Sequence, residues 1–265
     1  MPIDPKLIDI DFSKQPEYTF GNKGVRPDDG KMFASFADEV RVVPESEWKE
    51  LSERMKADQS GCAALVTRIY DQKQEGSCVA NATAQACEIT QAVQFGKDRV
   101  IPLSAISLYK RIGSSAQSGA YVPDGLKELS ERGILPLDTP ENRTKFSDKV
   151  MPNTGFRTPY PGDWENTANY FRSVEWLELK GTAELISALL HRFPVVVGRQ
   201  GHSICYCEPV YEGNTLRVKY ANSWGNWGEN GYGYDSANQV KQSAGSGAFA
   251  LRAVVYPDFQ QEATK

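Results

Sequence analysis

The chain changes from helix-forming to strand-forming sequence near Pro194, and no other feature constrains its fold as strongly. Before this point, apolar residues recur at helical spacing. After it, short runs rich in strand-forming residues are separated by glycine-containing turns: PVVVG, HSICYCEPVY, TLRVKYANSW and GAFALRAVVY. A helical part followed by a β part predicts an α+β fold, with any active site lying between the two parts.

Periodicity and end signals predict helices from Ser46 onward and over residues 78–95, 104–112, 123–132 and 182–192. The helix at 78–95 is rich in alanine, and Ser77 is placed to cap its N-terminus. Residues 136–170 are rich in Pro, Asn, Asp and Thr, so they are predicted to be mostly loop.

Residues 1–45 are polar, interrupted by glycine and proline, and only weakly periodic. They contain Phe20, Met32, Phe33 and Phe36, which a disordered tail would not need. The sequence therefore predicts an ordered N-terminal arm that packs on the domain. The expected organisation is an arm plus helix over 1–60 and a main domain over 61–265, with a helical lobe at about 75–135 and a β lobe at about 170–257.

The composition excludes some classes of partner. The chain has 265 residues, a net charge of −4 and no concentrated basic region, which argues against nucleic acid. No apolar run reaches the length of a membrane span, and the N-terminus lacks the basic start and apolar core of a secretory signal. We therefore expect a cytoplasmic protein that binds neither nucleic acid nor membrane.

The five cysteines do not form the pattern of a disulfide framework, because their number is odd and small for this length. Cys78 differs from the others because it starts a predicted helix. The positive end of the helix dipole favours the thiolate, which is the nucleophilic form. A lone cysteine is more often a small core residue, and Cys62 and Cys87 are assigned that role.

The chain has two histidines that could serve as a base for this cysteine. His191 lies late in the 182–192 helix, beside Arg192, and is interpreted as a solvated or capping residue. His202 follows Gly201 at the start of a predicted strand, where a sharp turn can present the imidazole. A histidine in a strand is more often structural, so its assignment as a base depends on its partners.

Two further motifs accompany these residues. Gln72 precedes Cys78 by six positions, with Gly-Ser immediately before the cysteine, and N-S-W-G-N-W-G-E-N-G-Y begins at Asn222. Together with the order Cys, His, Asn, these blocks resemble those of the papain-like cysteine peptidases across residues 71–232. The resemblance implies a papain-like two-lobed fold, with a helical left lobe, an antiparallel β-barrel-like right lobe and the active site between them.

The resemblance also implies a role for each matching residue. Cys78 would attack a peptide carbonyl, and His202 would pair with the thiolate and protonate the leaving amine. Asn222 would orient the histidine, and Trp224 would shield their hydrogen bond and border the substrate. The Gln72 amide and the Cys78 backbone N–H would form the oxyanion hole. The expected partner is a polypeptide substrate, and neither a cofactor nor a metal is expected.

A weaker match, S-G-A-Y before the helix at 123–132, resembles the strand that pairs with the substrate backbone in this family. It assigns substrate binding to Gly119, Ala120 and Tyr121, with Tyr121 and Val122 near the pocket for the second residue before the cut. Ala120 stands where the family usually has glycine, so its methyl group is expected to crowd the substrate.

Other positions depart from the family pattern. Glu75 replaces a disulfide cysteine and Val79 replaces a tryptophan, which agrees with a chain without disulfides. The N-S-W-G block is one residue shorter before its second tryptophan. Only seven residues separate Pro194 from His202, where the family inserts a long excursion, so a tight hairpin is expected and the substrate preference is left open.

Two other functions fit parts of this pattern. One is a peptidoglycan-cleaving amidase or endopeptidase, which shares the order of cysteine and histidine. The other is a structural or docking module with a vestigial site. The arm at 1–45 has alternatives of its own: it blocks or orders the cleft, attaches the protein to a larger assembly, or is a disordered tail.

Overall fold

The helices of the chain surround a central sheet. The computed structural model describes residues 2–15, 17–26, 29–148, 150 and 154–255. Its α-helices are Phe36–Glu39 (α1), Glu45–Ala57 (α2), Cys62–Leu65 (α3), Cys78–Phe95 (α4), Ala105–Ile112 (α5), Val122–Glu131 (α6), Pro140–Phe146 (α7), Thr154–Arg157 (α8), Trp164–Asn169 (α9), Thr182–Leu190 (α10) and Ala237–Gly245 (α11).

The strands form one sheet in the order β1-β2-β7-β3-β4-β5-β6. They are Ala34–Ser35 (β1), Ser173–Leu179 (β2), Val195–Arg199 (β3), His202–Glu212 (β4), Thr215–Ala221 (β5), Tyr232–Ser236 (β6) and Ala248–Val254 (β7). The pair β1–β2 is parallel, and the other neighbouring pairs are antiparallel. The predicted α+β fold class is confirmed.

The centre of the sheet is buried on both faces, which explains why β3 is apolar at consecutive positions. Val196 belongs to a core cluster with α4, α5 and α6, whereas Val195 and Val197 belong to a second cluster with α2, α10 and α11. Most of α4 is buried, from Cys78 to Ala92, so it lies inside the protein as a fully enclosed helix. Its small alanine side chains permit this close packing.

The N-terminal arm contributes to this core. Phe12 and Phe36 are fully buried in the second cluster, with Val43 and Trp48. At one edge of the sheet, Ile8 forms a parallel bridge to Tyr234 of β6, and at the other edge β1 pairs with β2. The arm therefore connects the two edges of the sheet and crosses the molecule between them.

Some predicted elements need correction. Residues 136–170 contain α7, α8 and α9 instead of being mostly loop. Thr139 caps α7 through the Asn142 N–H, so turn-forming residues here serve as helix caps. The helix predicted from Ser46 onward begins one residue earlier, at Glu45, and its N-cap residue is Pro44. The sequence patterns did not indicate β2, β6 or α11. Within the described ranges, no helix combines the length and apolar character needed to cross a bilayer.

Candidate active site

Cys78 is the first residue of α4, as the sequence predicted, and Ser77 is the N-cap residue. The Ser77 side chain makes no capping hydrogen bond. Instead, the Asn81 amide donates to the Ser77 carbonyl at 2.9 Å and to its hydroxyl at 3.0 Å. Because the Ser77 side chain caps none of them, the backbone N–H groups of the first turn point toward the N-terminal end of α4, where Cys78 lies. They favour negative charge there.

A two-residue hairpin positions His202 at the start of β4. Arg199 and His202 are the paired residues that close the hairpin, and Gln200 and Gly201 form the turn, with φ values of 50° and 76°. Positive φ at both turn positions is the geometry that matches the twist of a hairpin. The expected tight hairpin is therefore present.

His202 and Asn222 form a hydrogen bond of 2.7 Å between Nε2 and Oδ1. The Ser223 N–H also donates to Asn222 Oδ1, at 2.8 Å, which identifies that atom as the acceptor. The His202 ring therefore carries its proton on Nε2 when neutral, and Nδ1 keeps a lone pair. Among the described residues, Nδ1 has no hydrogen-bond partner. The Trp224 ring stacks on the imidazole, with centroids 4.6 Å apart.

Gln72 is held in one orientation by Ser223, a residue to which the sequence analysis gave no role although it lies inside the N-S-W-G block. The Ser223 hydroxyl donates to Gln72 Oε1 at 2.6 Å, and the Gln72 N–H donates to the Ser223 carbonyl at 2.8 Å. This leaves the Nε2 hydrogens as the outward donors. They reach the Glu75 carbonyl at 2.8 Å and the Thr19 carbonyl at 2.9 Å.

The Thr19 carbonyl belongs to the segment 18–24 of the arm, which we call the crossing segment. Its Tyr18 ring stacks on Trp224 with centroids 4.1 Å apart and planes within 6° of parallel. Gly21 lies against the Gly76 backbone so closely that a Cβ atom there would overlap the Gly76 carbonyl. A polypeptide backbone thus lies over the cysteine, the glutamine and the tryptophan.

The crossing segment also pairs with the predicted substrate strand. The Ala120 N–H donates to the Gly21 carbonyl at 2.6 Å, and the Lys23 N–H donates to the Ala120 carbonyl at 2.9 Å, in a parallel bridge. Gly119 has no room for a side chain, because a Cβ atom there would overlap the Gly21 carbonyl. The Ala120 methyl group, expected to crowd a bound strand, does not prevent this pairing.

Tyr121 also contacts the arm. The Arg26 guanidinium lies 4.3 Å from the Tyr121 ring centroid and forms an ion pair with Asp124 of α6. Gly119, Ala120 and Tyr121 therefore all meet the arm, as does Trp224, the fourth residue predicted to contact substrate. His191, the other histidine, is the C-cap residue of α10, and its Nε2 lies 3.0 Å from the Arg41 carbonyl, away from these residues.

Covering by the arm removes the candidate site from water. Cys78 and His202 are both 0% exposed. Burial raises the pKa of the Cys78 thiol to about 11, although hydrogen bonds from the backbone, including that of Gly21, lower it. Burial lowers the pKa of His202 to about 4, and its hydrogen bond to Asn222 acts in the opposite direction. The covered pair is therefore a neutral thiol and a neutral imidazole, not the ion pair expected from the sequence.

A buried charged pair anchors the arm upstream of the crossing segment. The Arg199 guanidinium forms an ion pair with Asp235, donates to the Ile10 carbonyl and lies 4.4 Å from the Phe12 ring centroid. The Tyr206 hydroxyl donates to Asp235 at 2.6 Å. Because both charges are almost fully buried, the pair is costly to break, and the arm is fixed to the β side of the cleft.

We expect His202 to remain neutral in the full chain down to about pH 5. A pKa near 4 lies about 2.5 below the ordinary value of 6.5, which corresponds to about 3 kcal/mol against the buried imidazolium. The unfolded chain takes up this proton first, so this residue's contribution to stability falls as the pH drops from 6.5 towards 4. Nuclear magnetic resonance of the ring nitrogens measures the titration, and a His191→Gln variant assigns the signals. A midpoint at or above 6.5 would contradict the buried neutral state.

We expect Tyr18→Ala to increase the rate of Cys78 alkylation by iodoacetamide about tenfold at neutral pH, because loss of the stack on Trp224 removes about 1 kcal/mol and some buried area. Tyr18→Phe keeps the stacking ring and is the matched control, with a rate close to that of the wild type. Mass spectrometry of the labelled peptide measures the rate. Equal rates in both variants would show that the stack does not hold the arm.

The fold is similar to that of known peptidases. No family model and no curated protein sequence matches the chain. Among solved structures, xylellain, a cysteine protease from Xylella fastidiosa, shares 19% identity over 71% of this chain and 83% of its own, with a TM-score of 0.57.

Two further structures match most of this chain. Procathepsin L2 from Tenebrio molitor larval midgut shares 17% identity over 92% of this chain and 80% of its own, with a TM-score of 0.65. Procathepsin B S9 from Trypanosoma congolense shares 16% identity over 92% and 89%, with a TM-score of 0.60. These likenesses extend over both the helical part and the sheet. The chain therefore has the papain-like fold.

Proposed function

We propose that the chain is a cysteine peptidase whose cleft is covered by its own N-terminal arm. One observation carries this proposal: the carbonyl oxygen of Thr19 accepts a hydrogen bond from Gln72 Nε2 at 2.9 Å, beside Cys78. A peptide carbonyl bound by this amide is what a substrate would present to an oxyanion hole, and this supports the proposal. The pairing of Ala120 with the arm supports the same view, because an extended peptide lies along the cleft.

The residues have the chemistry that such a reaction needs once the arm has moved. His202 Nδ1 carries the lone pair, so it takes the proton of Cys78, and the thiolate then attacks the carbonyl carbon of the peptide. Gln72 Nε2 and the Cys78 N–H hold the negative oxygen. As the C–N bond breaks, the imidazolium gives its proton to the leaving amine. Water, activated by the same Nδ1, then hydrolyses the thioester and restores the thiol.

The arm accounts for control of this chemistry. It excludes water, which keeps the thiol and the imidazole neutral, and it fills the binding positions of a substrate. Two of the similar structures are procathepsins, which supports a covered state as a property of this fold. The proposed substrate is a polypeptide that replaces the arm at Ala120.

The test is peptide cleavage by a protein whose arm has been displaced. A Gly21→Ala variant is incubated with casein and with a mixed peptide library, beside a Gly21→Ala/Cys78→Ala double variant. Cleavage products that depend on Cys78 support the peptidase. If the single variant has a freely alkylated Cys78 and still cuts no peptide, the proposal is wrong. Cell-wall fragments assayed in parallel test the alternative of a peptidoglycan-cleaving enzyme.

A second candidate function is a docking module with a permanently closed site. It is favoured by the burial of Phe12 and Phe36, because these arm residues belong to the core and do not leave without disrupting it. In that case Cys78 would resist alkylation in the wild type under all conditions that keep the protein folded, and no folded variant would cut a peptide.

A further inference from the structure

An open cleft with a volume of about 460 Å³ lies beside the candidate site, between the β3–β4 hairpin and α11. The crossing segment borders it at Asn22, next to Gly198 of β3. The same asparagine contacts the strand β4, because Asn22 Nδ2 donates to the His202 carbonyl at 3.1 Å. The cleft is therefore adjacent to the catalytic candidates and is separate from the small cavity beneath Gln72.

The described residues that line this cleft have polar side chains or are glycines. Two of them are charged: Lys23, which belongs to the arm, and Arg199 of β3. The domain side of the cleft offers the amides of Gln239 and Gln242. The Gln200 amide also lines it, with its Oε1 accepting the Phe12 N–H at 2.9 Å, and the Ser246 hydroxyl donates to the Gln242 carbonyl. The Arg199 charge is not available to a ligand in the cleft, because the side chain is 2% exposed and paired with Asp235.

The arm already places a carboxamide at this cleft. Asn22 is the residue that bridges to Ala120, the residue the sequence analysis assigned to the substrate. Its amide lies against Gly198 so closely that a Cβ atom on Gly198 would overlap Asn22 Nδ2. Its Oδ1 accepts the Gly24 N–H at 2.9 Å, so both ends of the amide are hydrogen-bonded. The Asn22 amide fits at this position because Gly198 has no side chain.

We propose that this cleft is a specificity pocket that selects a neutral polar side chain, best a carboxamide, on the substrate residue that pairs with Ala120. The proposal rests on the proposed peptidase function. An apolar side chain would leave the glutamine amides without partners as it displaced water, which costs free energy. A charged side chain would find no available opposite charge among the described residues on the domain side.

The short connection before His202 explains why the pocket exists in this chain. The two-residue turn at Gln200 and Gly201 places no further residues between the end of β3 and His202. The helix α11, which follows β6, then supplies Gln239 and Gln242 to the open side. The proposal assigns amides to the substrate preference that the sequence left open.

The first test measures cleavage. The Gly21→Ala protein is incubated with peptides that differ only at the residue expected to pair with Ala120. We expect Asn or Gln peptides to be cut about tenfold faster than the Leu peptide, and Gln242→Leu to reduce this ratio about threefold or more. Lys241→Leu, on an exposed part of the same helix outside the cleft, is the control and should keep the ratio. A Leu peptide cut as fast as the Asn peptide would overturn the proposal.

The second test needs no cleavage. In the full chain, Asn22→Leu should increase the rate of Cys78 alkylation about tenfold, because the arm then presents an apolar side chain to a polar cleft, whereas Asn22→Gln should change it less than about threefold. Gly198→Ala should also increase alkylation, and combination with Asn22→Gly should reverse this. Equal rates for Asn22→Leu and wild type would overturn the proposal. If no peptide is cut in the first test, the proposed peptidase function is wrong. The alkylation rates of the Asn22 and Gly198 variants then decide by themselves which side chains the cleft accepts.

Discussion

Replacement of Gly21 by alanine should uncover Cys78 and raise its alkylation rate about a hundredfold. A methyl group at this position would overlap the Gly76 carbonyl. The backbone fixes the positions of both groups, so neither can rotate away. The arm must therefore leave its place, and it loses the hydrogen bond from the Ala120 N–H to the Gly21 carbonyl as it does so. We estimate the cost at about 3 kcal/mol, within the range for overpacked substitutions.

The measurement is iodoacetamide labelling of Cys78 against time at pH 6 and pH 7.5, with the peptide identified by mass spectrometry. Once water reaches the site, Cys78 should be labelled at pH 6, well below the ordinary pKa of a thiol, because it lies at a helix N-terminus beside His202. Gly162→Ala, where a methyl group meets open space, is the control and should leave the rate unchanged. Labelling of Gly21→Ala as slow as that of the wild type would show that the arm does not close the site.

Replacement of Gln72 by alanine should separate the two proposed roles of that side chain, which are to donate to the oxyanion and to hold the arm. In the Gly21→Ala background, loss of an oxyanion donor should lower the turnover number by about 100- to 1,000-fold. In the otherwise wild-type chain, the same change removes the hydrogen bond to the Thr19 carbonyl, which should loosen the arm and speed Cys78 alkylation a few-fold. Catalysis and reactivity would then change in opposite directions.

Ser223→Ala is the matched control, since it removes only the hydroxyl that holds Gln72 Oε1 at 2.6 Å. The backbone groups of Ser223 that bond Asn222 and Gln72 remain in this variant. It should lower turnover less than the loss of the donor itself. Peptide hydrolysis and alkylation are measured on the same preparations. An unchanged turnover in Gln72→Ala would remove Gln72 from the oxyanion hole, whatever its effect on the arm.

Local patterns were sufficient for the elements that position the candidate site. The helix of residues 78–95 was predicted with the bounds that α4 has, because its alanine content acts within the segment itself, although the Ser77 side chain makes no capping hydrogen bond. The start of the strand at His202 was likewise readable from Gly201 and the apolar residues that follow. The prediction that the cysteine, the histidine and Asn222 form one site came from the resemblance of three short blocks and not from periodicity.

The path of the arm could not be read in this way. Its weak periodicity reflects contacts that are all distant in sequence: Thr19 with Gln72, Gly21 with Ala120, and Tyr18 with Trp224. A segment of this kind has no helical or strand pattern to detect, because the domain supplies its partners. Of the apolar arm residues predicted to pack on the domain, Phe20, Phe33 and Phe36 do so. Met32 is 44% exposed. The sequence did not indicate where these residues would lie.

The sequence by itself determined the fold class, the helix that starts at Cys78, the hairpin before His202 and the motifs that define a candidate site. The tertiary structure alone decided that the arm lies across this site, that the thiol and imidazole are neutral beneath it, and that the adjoining cleft is polar. The physical reason is that helix and turn signals depend on neighbouring residues, whereas burial, and with it the pKa of a side chain, depends on groups that only folding brings together.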